Sequence, residues 1–388
     1  MNLGAYIQIP FCQTKCTYCN FYTGVVSPAR FAPYVSAVQT EIREYQTRLA
    51  SAGIALPGSF SSLSVDTVYF GGGTPSLLDP AHLAALLNSI RDTFRTELSE
   101  VTLEADPETV DAAKAEAWIA AGINRISLGV QSFSDVELKA AGRMHRRSDV
   151  YRAVPILRSA GITNISFDLI AGLPHQTRES WLNSLGELIR LSPEHVSIYL
   201  LEVDEGSRLG SELLAGGTKY SAPAVPSDEV MAECYDFART RLAGAGYEQY
   251  EISNFAKPGF ASCHNRKYWR REPYLGFGAG AHCFSGTQRW ANTHDAASYV
   301  QAVAAGRTPA GQLENISAEQ ALDEELFLGL RQLEGIDLKR LERTYGTQLE
   351  PRFAPLQASG LIERVGSVVR LAPDRLTISN EAFVELMR

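Results

Sequence analysis

Cys12, Cys16 and Cys19 stand at a C-x3-C-x2-C spacing directly after the apolar run Ala5-Tyr-Ile-Gln-Ile-Pro10. Three thiols on one short loop add little to a core, but as thiolates they can hold an iron–sulfur cluster. Three cysteines ligate three of the four irons of a [4Fe–4S] cube. The fourth iron is then open to a small-molecule ligand, as catalytic metal sites keep a vacant position. A structural zinc site would need a further Cys or His close by. The other cysteines, Cys234, Cys263 and Cys283, lie far downstream, and the nearest histidine, His82, falls in a predicted helix over Ala81–Ile90. A disulfide framework suits neither six cysteines in 388 residues nor a chain in which no export signal is read. Unpaired thiols therefore predict a reducing, cytoplasmic setting.

A second chemical signal is Gly71-Gly-Gly-Thr-Pro-Ser76. Consecutive glycines let a ligand reach the backbone without Cβ interference and present free N–H and C=O groups. A tight turn alone would need only one of them. The formal net charge of −8 gives no general attraction to phosphate backbones and argues against nucleic acid as a main partner. Local basic clusters remain, at Arg143-Met-His-Arg-Arg147 and Arg266-Lys-Tyr-Trp-Arg-Arg271. No apolar run is long enough to span a bilayer, so any membrane contact would be peripheral.

These residues need elements to position them. Short β-like runs near Ala5–Ile9, Thr67–Phe70, Val101–Glu104, Arg125–Gly129, Ile165–Ile170 and Val196–Leu201 alternate with helical stretches. The helices are expected around Arg30–Leu49, Pro80–Phe94, Val110–Ala120, Val150–Ser159 and Arg178–Leu191. Such alternation predicts an α/β fold with a parallel sheet and helices outside it. Six repeats suit a partial (β/α)6 barrel rather than a closed one of eight strands. The chemical residues fall just past the C-terminal ends of the strands, where α/β barrels place their sites. Residues 1–205 are expected to form this barrel. Residues 206–305 read as a β-containing extension that begins with a mobile lid, Gly206–Ser227. Residues 312–388 read as a small, mostly helical C-terminal domain with a winged tail, after a linker at Gly306–Gly311.

The cysteine spacing, the glycine loop and their placement resemble the radical S-adenosylmethionine (SAM) superfamily, and the likeness narrows to its coproporphyrinogen-oxidase-like family. The resemblance implies a [4Fe–4S] cluster on Cys12, Cys16 and Cys19, with SAM chelating the open iron. In the superfamily one electron from the cluster breaks a carbon–sulfur bond of SAM. By the same resemblance Gly72, Gly73 and Thr74 contact the methionine end of SAM, and Tyr6 and Glu104 bind the same molecule. Tyr18, Gln131, Arg143 and Asp168 align with residues lining a second SAM position. Carboxylates suit the cations and hydroxyls of SAM, and Arg suits its carboxylate. Read alone, Glu104 and Asp168 are equally explained as ion-paired strand ends, and Arg143 as a solvated loop charge.

Two departures separate the chain from the oxidase itself. Phe21 stands where the bacterial oxygen-independent coproporphyrinogen III oxidase has an extra cysteine, and the segment before the cluster is nearly absent. In addition, His264-Asn-Arg-Lys-Tyr-Trp269 matches a motif of the heme chaperones in this family. Neutral imidazole is a common axial ligand of heme iron, and aromatic rings pack on a flat macrocycle. In isolation the same motif describes a core histidine among aromatics. Cys263 reads as a packing thiol, while His282, Cys283 and His294 are further candidate ligands left unranked.

The resemblance thus implies a heme chaperone that carries a [4Fe–4S] cluster and SAM, binds heme near His264 and passes it to apo-hemoproteins. SAM would serve as a structural ligand, be cleaved slowly, or gate heme transfer or homodimer assembly. No residue is assigned to catalysis, and the electron donor stays unidentified. The alternative is a radical SAM oxidase that decarboxylates coproporphyrinogen III, which Phe21 disfavours. A third reading is an iron–sulfur redox module without heme.

Overall fold

The computed structural model describes residues 2–54, 63–311 and 313–387. Six parallel strands form its centre: β1 (Asn2–Ile9), β2 (Ser64–Gly72), β3 (Arg95–Ala105), β4 (Arg125–Gln131), β5 (Asn164–Ala171) and β6 (His195–Leu200). Helices α1 (Phe31–Arg43), α2 (Pro80–Thr93), α3 (Ala112–Ala121), α4 (Arg147–Ala160), α5 (Arg178–Leu191) and α6 (Asp228–Gly244) follow the successive strands. This is the expected partial (β/α)6 barrel. Each strand alternates, as one face packs on helices and the other looks into the barrel. Leu3, Ala5, Ile7 and Ile9 of β1 and Ile165, Phe167 and Leu169 of β5 are almost wholly buried in the apolar core. The intervening positions are polar: Tyr6 and Gln8, Thr67 and Tyr69, Glu104, Ser127, Asp168 and Ser197.

Later residues extend the same sheet at both edges. β7 (Glu248–Gln249) and β8 (Asn254–Ala256) pair antiparallel beyond β6. On the other side β9 (Tyr274–Phe277) lies parallel to β1, with Tyr6 opposite Gly276. β10 (His282–Phe284), β11 (Gln288–Ala291) and β12 (Glu314–Asn315) continue from it antiparallel. Between the strands, α7 (Cys263–Trp269) packs on β2. The C-terminal part starts with α8 (Ala318–Arg331) and adds helices Leu338–Tyr345, Glu350–Ala358 and Ser379–Leu386. A three-stranded sheet joins them, with Val368–Leu371 between Ile336–Asp337 and Ile362–Val365. Among the described residues no helix is long and apolar enough to cross a membrane.

The stretch Gly206–Ser227, expected as a loop or lid, contains regular structure. Ser207 accepts the Gly210 N–H and starts a helix over Arg208–Leu214. Leu209 and Ala222 are buried with Ile170, Leu173, Leu201 and Met231 in a second apolar cluster. The backbone N–H of Leu209 also donates to Thr17 O at 2.8 Å, fastening this segment onto the cysteine loop. The predicted helix Arg30–Leu49 is likewise two helices, α1 and Tyr45–Ser51, broken at Glu44.

Two close approaches make the top of the sheet rigid. Gly73 donates to Ile9 O at 2.9 Å and Thr74 to Phe11 O at 2.7 Å. A Cβ on Gly73 would sit 2.5 Å from Phe11 O. Gly73→Ala should therefore force the two loops apart and cost roughly 1–3 kcal/mol, read from chemical denaturation; wild-type stability would show that the contact yields freely. Nearby, Glu41 of α1 is buried and accepts from Gly278 N at 2.9 Å, Asn292 Nδ2 at 2.7 Å and Tyr299 Oη. Burial pushes its carboxyl up from 4.5 to about 7 despite those donors. A carboxyl raised on folding binds its proton more tightly in the folded state, so its contribution is complete below about 4.5 and lost as pH rises through about 7. Denaturation midpoints should accordingly fall more steeply from about pH 5 to about pH 7.5 in wild type than in Glu41→Gln. Equal slopes would remove Glu41 as a source of the pH dependence.

Candidate functional site

At the C-terminal ends of the strands lies a cavity of ≈ 460 Å³, within the roughly 300–1,000 Å³ usual for small-molecule sites. Cys12, Cys16, Cys19, Tyr18, Gly72, Gly73, Thr74, Glu104, Gln131, Arg143 and Asp168 all line it. Residues from six separate segments, read as a site from their types and order, thus converge on one space.

The three cysteines are partly buried. Burial pushes the Cys12 thiol up, opposed by hydrogen bonds from Thr23 and Thr74. Burial likewise raises Cys19, opposed by the Phe21 backbone. A bound cluster would reverse this bias, because positively charged metal deprotonates the thiols that ligate it. Three thiols on one cavity-lining loop suit a cube, in which each takes a different iron.

Carboxylates form the wall opposite. Glu104 accepts from Tyr69 Oη and from Gly72 N, both at 3.0 Å. Burial, aided by Asp168, raises its carboxyl to about 7 against those two donors. A cationic ligand group beside it would favour ionisation. Asp168 accepts from Ser127 Oγ at 3.0 Å and is raised by burial.

Arg143 is not a solvated loop charge. Its side chain is only 9% exposed and pairs with Asp106, while Nη2 donates to Gly129 O at 2.9 Å and Nη1 lies 3.6 Å from Cys16 Sγ. Gln131 holds a positive φ of 63° at a break in the β4–β5 register. Such backbone strain in a non-glycine residue is a feature of functional sites. Asp106 was missed by sequence reading. It lines the cavity and also accepts from Thr74 Oγ1 at 3.2 Å. Its signal was the two-residue period of a strand, which turns Asp106 to the same side as Glu104.

Two expected residues lie elsewhere. Tyr6 sits below the glycine loop, donating to Gln8 Oε1 at 2.8 Å and stacking on Tyr69 at 5.9 Å. His264 is placed near the opposite end of the strands, close to Gly4 and Thr67. From Thr67 to Gly72 a strand rises roughly 16 Å. His264 is 1% exposed, with Nδ1 2.9 Å from Thr67 Oγ1 and Nε2 2.8 Å from Tyr268 Oη. Burial lowers its pKa to about 3. The expectation of an accessible heme ligand meets a buried side chain whose two ring nitrogens are both engaged. Glu100 accepts from Ser262 Oγ, Cys263 N and His264 N, capping α7 from inside the barrel. The rest of the motif ties α7 outward: Lys267 pairs with Asp66, and the Arg331 guanidinium of α8 lies over Trp269 at 4.6 Å.

Residues 6–188 match the Radical SAM superfamily, and residues 316–374 match the HemN C-terminal domain. The heme chaperone HemW of Bacillus subtilis is 35% identical over 386 residues, covering 98% of each chain. The HemW of Escherichia coli is 36% identical over 281 residues, covering 72% of this chain and 69% of that one. Among solved structures, the coproporphyrinogen III oxidase HemN of Escherichia coli superimposes with a TM-score of 0.84 at 22% identity, over 99% of this chain and 89% of its own. That likeness is one of fold. Radical SAM proteins are built around a [4Fe–4S] cluster and SAM, and the converging thiols, glycine loop and carboxylates accommodate both. Sequence identity along the whole chain and a matching superfamily pattern lead to one conclusion: the chain belongs to the HemW family within the radical SAM superfamily.

Proposed function

We propose that this protein is a heme chaperone, binding heme and transferring it to apo-hemoproteins. Identity to a heme chaperone along 98% of both chains carries this reading. Cys12, Cys16 and Cys19 would hold the [4Fe–4S] cluster. Gly72, Gly73, Thr74 and Glu104 would receive SAM beside it, with Tyr18, Gln131, Arg143 and Asp168 around the remaining space. Bound there, the pair supplies one-electron chemistry at a carbon–sulfur bond. The chain's own contribution is a pocket in which Arg143 is held by Asp106 and Gly129.

Against an oxidase, Phe21 rather than a thiol lines the cavity two residues after Cys19. The side chain at that position can pack but cannot ligate, donate a proton or carry a radical as sulfur can. Cytoplasmic residence, peripheral contact with membrane hemoproteins and assembly into a homodimer belong to the same proposal.

The decisive experiment is an anaerobic titration of reconstituted protein with heme, followed by visible absorbance, beside an assay for protoporphyrinogen formed from coproporphyrinogen III. Stoichiometric heme binding without porphyrinogen turnover is expected. Sustained turnover would replace the chaperone with the oxidase, and neither binding nor turnover would leave an iron–sulfur redox module. Cys16→Ala should lose the broad visible absorbance of the cluster; full retention would displace Cys16 as a ligand.

A further inference from the structure

With both nitrogens of His264 engaged inside the barrel, an imidazole ligand for heme iron would have to come from elsewhere. The described residues offer three that are exposed: His175 after β5, at a positive φ of 68°, His282 at the start of β10 and His294 just after β11. His282 and His294 lie close to each other. Cys283, between them in sequence, is buried and bonded to Gly276 N and Tyr45 Oη, which removes it as a ligand. Among the described residues neither the His282 nor the His294 ring makes a hydrogen bond.

His294 is held in a fixed orientation. Its ring stacks on Tyr22 with centroids 3.9 Å apart and planes inclined by 22°. Its Nδ1 rests over Gly280, where a Cβ would approach it to 3.2 Å. Nε2 is therefore the nitrogen left for a ligand. Gly280, at a φ of 74°, both makes the turn and provides the space.

Tyr22 belongs to an exposed apolar run that begins at the rim of the cysteine cavity, whose lining includes Phe21 and Lys15. Phe21 and Tyr22 are 65% and 64% exposed, and Val25 and Val26 follow at 60% and 37%. Four large apolar side chains exposed within six residues form a patch of the kind that marks a binding surface. The patch starts two residues after Cys19, and its backbone is fastened to the cysteine loop. Residues 24–25 pair with Phe11–Cys12, and Gly24 N donates to Pro10 O at 2.9 Å. Lys15 reaches the same place, with Nζ 3.5 Å from Phe21 O. Among the described residues it has no carboxylate within ion-pair distance.

An oriented imidazole, an apolar platform and an unpaired ammonium match the three parts of an iron porphyrin: the metal, the macrocycle and the propionate edge. We propose that heme binds on the Phe21–Val26 surface with His294 as its axial ligand and Lys15 facing a propionate. This rests on the chaperone reading and gives that reading a site. Because Tyr22 is three residues from a cluster ligand, anything that orders the cysteine loop also sets the imidazole. Cluster loading would thus prepare the heme site without touching heme.

The test uses full-length protein with the cluster reconstituted, compared at equal iron–sulfur content. Heme titrations of wild type, His294→Ala and His264→Gln are followed at the Soret band. His294→Ala should weaken binding roughly ten-fold or more, and His264→Gln should bind as wild type does. In His294→Gly, free imidazole should restore the imidazole-ligated spectrum. Undiminished binding by His294→Ala, or loss in His264→Gln alone, would overturn this placement while leaving the chaperone standing. Failure of imidazole to restore the spectrum would show that the loss was structural and would also overturn it. Failure of wild type to bind heme would instead overturn the chaperone reading itself.

Discussion

A carboxylate inside a barrel must be hydrogen-bonded, paired or protonated, because an isolated buried charge is prohibitively costly. That requirement organises both ends of this molecule. At one end Glu100 is satisfied by the opening turn of α7 and Ser262, so the helix closes the base of the sheet. At the other end Glu104 is only partly compensated and is raised to about 7. The first arrangement is complete without a ligand, whereas the second leaves room for a cation. One strand, β3, thus carries a structural carboxylate at its middle and a receptive one near its C-terminal end, four residues apart.

The same contrast separates the two histidine environments. His264 has its two nitrogens engaged, its helix capped and its neighbours tied to α8, which makes the H-N-x-x-Y-W stretch a joint between barrel and C-terminal part. His294 has aromatic stacking but no hydrogen bond among the described residues. The H-N-x-x-Y-W motif made the first conspicuous in the sequence. Only the fold brings the second beside Tyr22, because the two residues are far apart in the chain.

The sheet was legible because its period was strict: all six central strands were located, and α5 matched at both ends. The cysteine, glycine and acidic positions could be gathered because βα repeats place strand ends together regardless of loop detail. What escaped depended on long-range or compensating contacts. Gly206–Ser227 has the composition of a loop, yet capping by Ser207 and burial of Leu209 make part of it helical. Asp106 was hidden behind Glu104, and its importance comes from Arg143, a partner on another loop. The burial of His264 was illegible because Thr67, one of its two partners, lies on a strand distant in sequence.

The placement of β1 has a consequence for biosynthesis. Its partner β2 is complete once residue 72 has been made, but its other partner, β9, ends only at Phe277. The strand that leads into the cysteine loop therefore keeps one edge unpaired through most of translation. Unpaired strand edges invite misassembly, and long-range pairing is slow to form. Delivery of iron and sulfide to a nascent chain would meet a half-sealed site, whereas delivery after release would meet one already braced from both sides.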